Sequence, residues 1–145
     1  IKVNNEPYVI EYNVRMGDPE TEVVIPRVTS DLVTVFEAVG NQQLDKVSLE
    51  TDKRAATTVM TVSGGYPEAY EKGKEISGLE EVDGSIVFHA GTKLDGDKVV
   101  TNGGRVMAVT SYGDDFRMAL AKSYENVSKL NFEKMYYRTD LGFDL

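Results

Sequence analysis

The sequence predicts an α+β fold: a small antiparallel β-rich unit with a flanking helix, preceded by a shorter segment of one strand and two helices. Three observations carry this. Four short runs rich in β-branched residues, 55–63, 85–90, 98–101 and 105–111, are separated by glycine-rich turns. One long amphipathic run, 114–131, follows them. The first forty residues carry the proline, capping and glycine signals of helix boundaries.

Element by element, Tyr8–Val14 reads YVIEYNV and is expected to be a strand. Glu6-Pro7 reads as a turn, so Lys2–Val3 and Tyr8–Val14 are expected to form a hairpin around Asn4–Asn5. Gly17-Asp18-Pro19-Glu20 reads as a helix start. Asp18 suits the N-cap, Pro19 the first helical position, and Glu20 and Glu22 the positive end of the helix dipole. That helix is expected to run from Pro19 to Ile25, where Pro26 interrupts it. A second, from Ser30 to Val39, places Leu32, Val35, Phe36 and Val39 at i, i+3, i+4 and i+7, and Gly40 ends it.

Residues 41–54 are polar and turn-rich, and a domain boundary is expected there. Ala55–Ser63 is a β run stopped by Gly64-Gly65-Tyr66-Pro67, and Ser85–Ala90 is a second. Lys98–Thr101 and Arg105–Ser111 read as a hairpin joined by Asn102-Gly103-Gly104, with a further turn at Asp95-Gly96-Asp97. Together these strands suggest an antiparallel sheet or a small sandwich. Asp114 is expected to cap the last helix, whose stripe is Phe116, Leu120, Tyr124, Val127 and Leu130. The aromatic tail, Phe132–Leu145, is expected to pack back on the domain.

The composition bounds what such a fold can do. The 145 residues carry 16 basic and 24 acidic side chains, a net charge of −8. That balance argues against a nucleic-acid or anionic-membrane surface, which needs a basic face. It leaves room for a small anion held by a local Arg or a helix N-terminus. With no Cys and one His there are no disulfides, thiolate sites or multi-His metal sites. No apolar run approaches the ~20 residues of a membrane-spanning helix. The chain opens on Ile-Lys-Val, which leads us to expect a piece of a longer polypeptide.

Glu11-x-Asn13-x-Arg15 is the most chemical-looking group. On a strand, a carboxylate and an amide oxygen two residues apart share a face and offer hard ligands to Mg²⁺, which fills its remaining shell with phosphate and water. Arg15 on the same face can hold the same phosphate through two parallel hydrogen bonds. By spacing alone, a half-exposed strand with polar residues outward accounts for the pattern better. Gly17-Asp18-Pro19-Glu20 reads equally as a helix start and as an anion pocket beside that site. Ser63-Gly64-Gly65-Tyr66-Pro67 lacks the spacing and the Lys of a P-loop and reads as a tight turn. His89 fits a satisfied strand histidine better than a catalyst, and Gly103-Gly104-Arg105 fits a hairpin with a solvated Arg.

Taken together, VIEYNVRMGDPETEVVIPR, SGGYPEAYEKG, VFHAGTK, VVTNGGRV and MYYRTDLG, in this order and at these separations, resemble the C-terminal portion of the phosphoribosylamine–glycine ligase family. The resemblance covers nearly the whole chain. It implies that residues 1–46 are the end of an ATP-grasp domain and residues 47–145 the β-rich C-terminal domain. It also implies an ATP-dependent ligase that joins glycine to 5-phosphoribosylamine through a glycyl phosphate, in the cytoplasm, in purine biosynthesis. Glu11 and Asn13 would then hold Mg²⁺ or Mn²⁺ at the ATP phosphates. Arg15 would be catalytic, and Gly17 and Asp18 would shape the nucleotide loop. Arg105, and less so His89, would contact phosphoribosylamine. The missing N-terminal and ATP-binding lobes would pack against the chain, which alone is expected to be inactive and to expose an apolar patch. No nucleic-acid or membrane partner is implied. Another ATP-grasp carboxylate–amine ligase or carboxylase, or a non-catalytic interaction module, are the alternative readings.

Overall fold

The structure, a computed structural model, describes residues 1–145. Its centre is the strand β7, Arg105–Gly113, in which residues 106 to 111 are all buried. The other elements in chain order are β1 (Lys2–Val3), β2 (Glu6–Pro7), α1 (Thr21–Val24), α2 (Leu32–Gly40) and β3 (Ala55–Ser63). After them come β4 (Ser85–His89), β5 (Thr92–Asp95), β6 (Lys98–Thr101), then α3 (Phe116–Val127) and β8 (Met135–Tyr136). The main sheet is antiparallel with order β4-β7-β3-β8, and β5 pairs with β6 in a separate ribbon. The α+β class with antiparallel sheets therefore stands.

One face of the sheet carries α3. Val59, Val106, Met107 and Val109 from the strands meet Val127, Leu130, Ile76 and Phe132 there, and these eight form the core. Small hydroxyls bridge helix and sheet: Thr57 Oγ1 lies 3.1 Å from Ser123 Oγ, and Asn126 Nδ2 donates to Ser85 Oγ at 2.7 Å. The tail packs back as expected, with Met135–Tyr136 adding β8 to the edge of β3 and Leu141 N donating to Tyr124 Oη at 3.2 Å.

The other face is crossed by the segment 17–27. Val28 and Thr51 form an isolated bridge beside it, and Asp52 N donates to Arg27 O at 2.7 Å. Arg54 lies 4.5 Å over the Tyr112 ring and pairs with Asp52 at 2.6 Å. The Arg54 guanidinium, and then the Arg54 amide, hold the Asp52 carboxyl down to about 2. This clasp therefore stays charged across the neutral range.

Several local expectations are corrected. Tyr8–Val14 forms no strand and pairs with none; the hairpin is β1 with β2, so Glu6-Pro7 is strand and not turn. Its turn is Asn4–Asn5, both at positive φ, a conformation Asn tolerates. The first helix is only Thr21–Val24, followed by a 3-10 turn at Ile25–Arg27. Asp18 does not cap it. Instead the Gly17 carbonyl accepts both Thr21 N and Thr21 Oγ1, which closes the turn one step later. Asp31 caps α2 through Val33 N at 2.9 Å, and Asp115, not Asp114, caps α3 through Met118 N at 2.8 Å.

Asn102-Gly103-Gly104 does not close a hairpin between β6 and β7. It carries the chain from the β5–β6 ribbon into the main sheet, because Thr92–Asp95, unassigned in the sequence reading, takes β6 as its own partner. No helix is long and apolar enough to cross a membrane. Residues 1–49 leave many large apolar side chains exposed, among them Val9, Ile10, Tyr12, Val14 and Phe36.

Candidate functional site

The motifs of the sequence converge at one end of the main sheet. Ser63 N and Ser63 Oγ donate to the carbonyls of Gly104 and Gly103, both at 2.8 Å, and Asn102 N donates to Gly91 O at 2.7 Å. The SGGYP, HAGT and NGGR strings thus share one knot of backbone. Glycine is required at Gly91, where a Cβ would stand 2.3 Å from the Arg105 carbonyl and 2.7 Å from Gly103 Cα. Turn chemistry alone does not predict this close approach.

Arg105 leaves that knot and reaches the GDPE loop. Its Nη1 donates to the Asp18 carbonyl at 2.7 Å, and its Nη2 lies 3.4 Å from the Asp18 carboxylate. Two residues singled out in distant motifs therefore meet. Gly17 sits beside them, its N–H donating to Glu20 Oε2 at 2.8 Å. The Arg105 side chain keeps 40% of its surface exposed, so the rest of its donor fork faces solvent.

Asn13 and Arg15 line one shallow hollow of about 270 Å³ with Val14, Met16 and Glu20. Glu11 lies on the same segment, outside that lining. Arg15 makes only one long contact within the chain, 3.4 Å to the Met16 carbonyl. Glu11 and Asn13 present one carboxylate and one amide oxygen. No group of three or more His, Cys, Asp or Glu side chains gathers to complete a metal shell. That donor set fits Mg²⁺ or Mn²⁺ held jointly with phosphate oxygens, and it does not fit a site built from this chain alone.

His89 shares no hydrogen bond with Arg105. Its Nδ1 lies 3.0 Å from Thr92 Oγ1, and it lines a hollow of about 460 Å³ with Glu22, Ile25, Phe88 and Tyr112. Thr110 and Tyr112 carry no role in the sequence analysis, and Glu20 is placed there at the helix dipole rather than on the Gly17 N–H. Glu20 orders the loop, while Thr110 Oγ1 and Tyr112 Oη donate to the Glu22 and Pro26 carbonyls at 2.8 and 2.6 Å. The visible signal was two polar side chains, two residues apart, in a buried β run.

Comparison with known proteins adds four matches. Residues 56–144 match a family model described as phosphoribosylglycinamide synthetase, C domain. The chain is 43% identical over 143 residues to a protein of Fusobacterium nucleatum named phosphoribosylamine–glycine ligase, covering 96% of this chain and 34% of that one. A protein of the same name from Halalkalibacterium halodurans is 47% identical over 137 residues, covering 94% and 32%. A crystal structure of phosphoribosylamine–glycine ligase from Thermotoga maritima superposes with a TM-score of 0.74 at 37% identity, covering 94% of this chain and 34% of that one. The chain spans about a third of the length of the curated relatives it matches.

Proposed function

The chain belongs to the phosphoribosylglycinamide synthetase C-domain family, and from that premise we propose that it is the C-terminal portion of an ATP-dependent ligase joining glycine to 5-phosphoribosylamine. The products are glycinamide ribonucleotide, ADP and phosphate, in purine biosynthesis in the cytoplasm. The observation that carries the reading is the 43% identity across 96% of the chain to a protein of that name.

On this reading residues 1–46 end an ATP-grasp domain and residues 47–145 form the C-terminal domain. The exposed apolar side chains of residues 1–49 are the surface on which the ATP-binding lobe packs. Tyr8–Val14 has the pattern of a strand and no strand beside it in this chain, so its partner belongs to that lobe. The chain alone, with half of a site, is inactive.

The reaction divides into two displacements. A glycine carboxylate oxygen attacks the γ-phosphorus of ATP, and the bond to ADP breaks. The amine nitrogen of phosphoribosylamine then attacks the carbonyl carbon of the glycyl phosphate. Inorganic phosphate leaves, and the nitrogen loses a proton. Little covalent chemistry falls to the protein, whose work is positioning and neutralising phosphate charge. Arg15 stabilises charge on the transferring phosphoryl group. Glu11 and Asn13 would hold Mg²⁺ or Mn²⁺, which supplies charge neutralisation at the ATP phosphates. Gly17 and Asp18 shape the loop beside them. The free donors of Arg105 hold the phosphate of phosphoribosylamine, and His89 stands as a lesser candidate for the same substrate.

Glycine-dependent ADP formation tests the reaction itself. The substrate role of Arg105 is tested by R105A in the full-length ligase. The expected KM for phosphoribosylamine rises about tenfold, as for a lost charge-assisted contact, and more than the KM for MgATP. An unchanged KM for phosphoribosylamine removes Arg105 from that site.

A further inference from the structure

β7 carries a row of three donors aimed at one stretch of backbone. Arg105 Nη1 donates to the Asp18 carbonyl at 2.7 Å, Thr110 Oγ1 to the Glu22 carbonyl at 2.8 Å, and Tyr112 Oη to the Pro26 carbonyl at 2.6 Å. The three acceptors fall every fourth residue, while the donors run along a strand. Simple alternation would put Arg105 on the opposite face from Thr110 and Tyr112. The register prevents this: Thr61 pairs with Met107 but Val62 pairs with Arg105, so Val106 is an extra residue that bulges β7. Val106 turns into the core, and Arg105 joins the row.

Thr110 is fully buried. Its hydroxyl lies 2.9 Å from Thr58 Oγ1 and is committed to a carbonyl outside its own sheet. Arg54 stacks on the Tyr112 ring and holds it in place. The anchored segment begins three residues after Arg15, at Asp18, and Glu20 within it orders the loop beside it.

We propose that Thr110 and Tyr112 are positioning residues of the ligase. Together with the β-bulge that brings Arg105 into line, they fix the backbone of residues 18–26 on the C-terminal domain and so set where Arg15 stands against the transferring phosphoryl group. The proposal rests on the ligase reading for its catalytic consequence and on the geometry alone for the anchoring.

The test uses T110V, Y112F and T110S in the full-length ligase. T110V and Y112F keep shape and lose one hydroxyl each. Two measurements are made on each variant: steady-state kinetics with glycine, phosphoribosylamine and MgATP, and amide hydrogen exchange. Each loss is expected to lower kcat by about tenfold or more, the range of a small misplacement of a reacting group. The three KM values should stay within about twofold, since neither hydroxyl touches substrate. Exchange at 18–27 should rise while β3 and β7 stay protected. T110S should restore both readouts. Loosened exchange with unchanged kcat would overturn the catalytic positioning, and unchanged exchange at 18–27 would overturn the anchoring. A wild-type enzyme without glycine-dependent turnover would overturn the ligase reading, and the exchange data would still decide the anchoring.

Discussion

In the full-length ligase, R15A lowers kcat by about 10³-fold, the scale of removing an Arg that stabilises a transferring phosphoryl group. The fold is expected to survive this change. Arg15 is exposed and its one hydrogen bond within the chain is the 3.4 Å approach to the Met16 carbonyl, so no hydrogen-bonded element depends on it. An unchanged unfolding temperature alongside the lost turnover would separate chemistry from stability. R15K should recover only part of the rate, because Lys keeps the charge but not the two parallel hydrogen bonds. A loss below about tenfold in R15A would place the phosphoryl-stabilising Arg elsewhere.

G78A is the substitution expected to damage folding most. Gly78 has φ +83°, and a Cβ there would stand 2.0 Å from the Lys129 carbonyl oxygen. The nearest atoms, Lys129 O and C and Leu130 Cα, are all backbone. The Lys129 carbonyl cannot move aside freely, because Ser77 and Asn131 on either flank exchange hydrogen bonds of 2.9 and 3.1 Å. Left-handed strain and overpacking together cost about 3 kcal/mol. Urea unfolding should therefore show a lower midpoint with an unchanged slope. A midpoint equal to that of the unmutated protein would mean that the loop at 70–80 yields without loss.

How much of this was legible in the sequence depends on how local its causes are. Ala55–Ser63 and Lys98–Thr101 were read to the residue, because turn residues stop each run. The last helix was read too long at both ends, since Asp114 and Asp115 are both good caps and only the tertiary path selects Asp115. The hairpin at Asn102-Gly103-Gly104 was misread for a different reason. Those glycines serve a close approach to Gly91 as well as a turn, and a close approach needs a partner that local patterns do not name.

Tyr8–Val14 was misread as a paired strand because its pattern is that of one. The alternating pattern is present, and no strand of this chain pairs with the segment. The candidate site followed the same logic. The types and spacing of Glu11, Asn13 and Arg15 were visible, and so was Arg105. That Arg105 meets Asp18 was not, since a bulge of one residue decides which face it takes.

The ligase reaction is tested by ADP formation by the full-length protein that carries this chain, with ATP, Mg²⁺ and phosphoribosylamine, with and without glycine. ADP is expected only when glycine is present. ADP that ignores glycine but responds to bicarbonate or another small acid would contradict it and assign the chain to a sibling ligase.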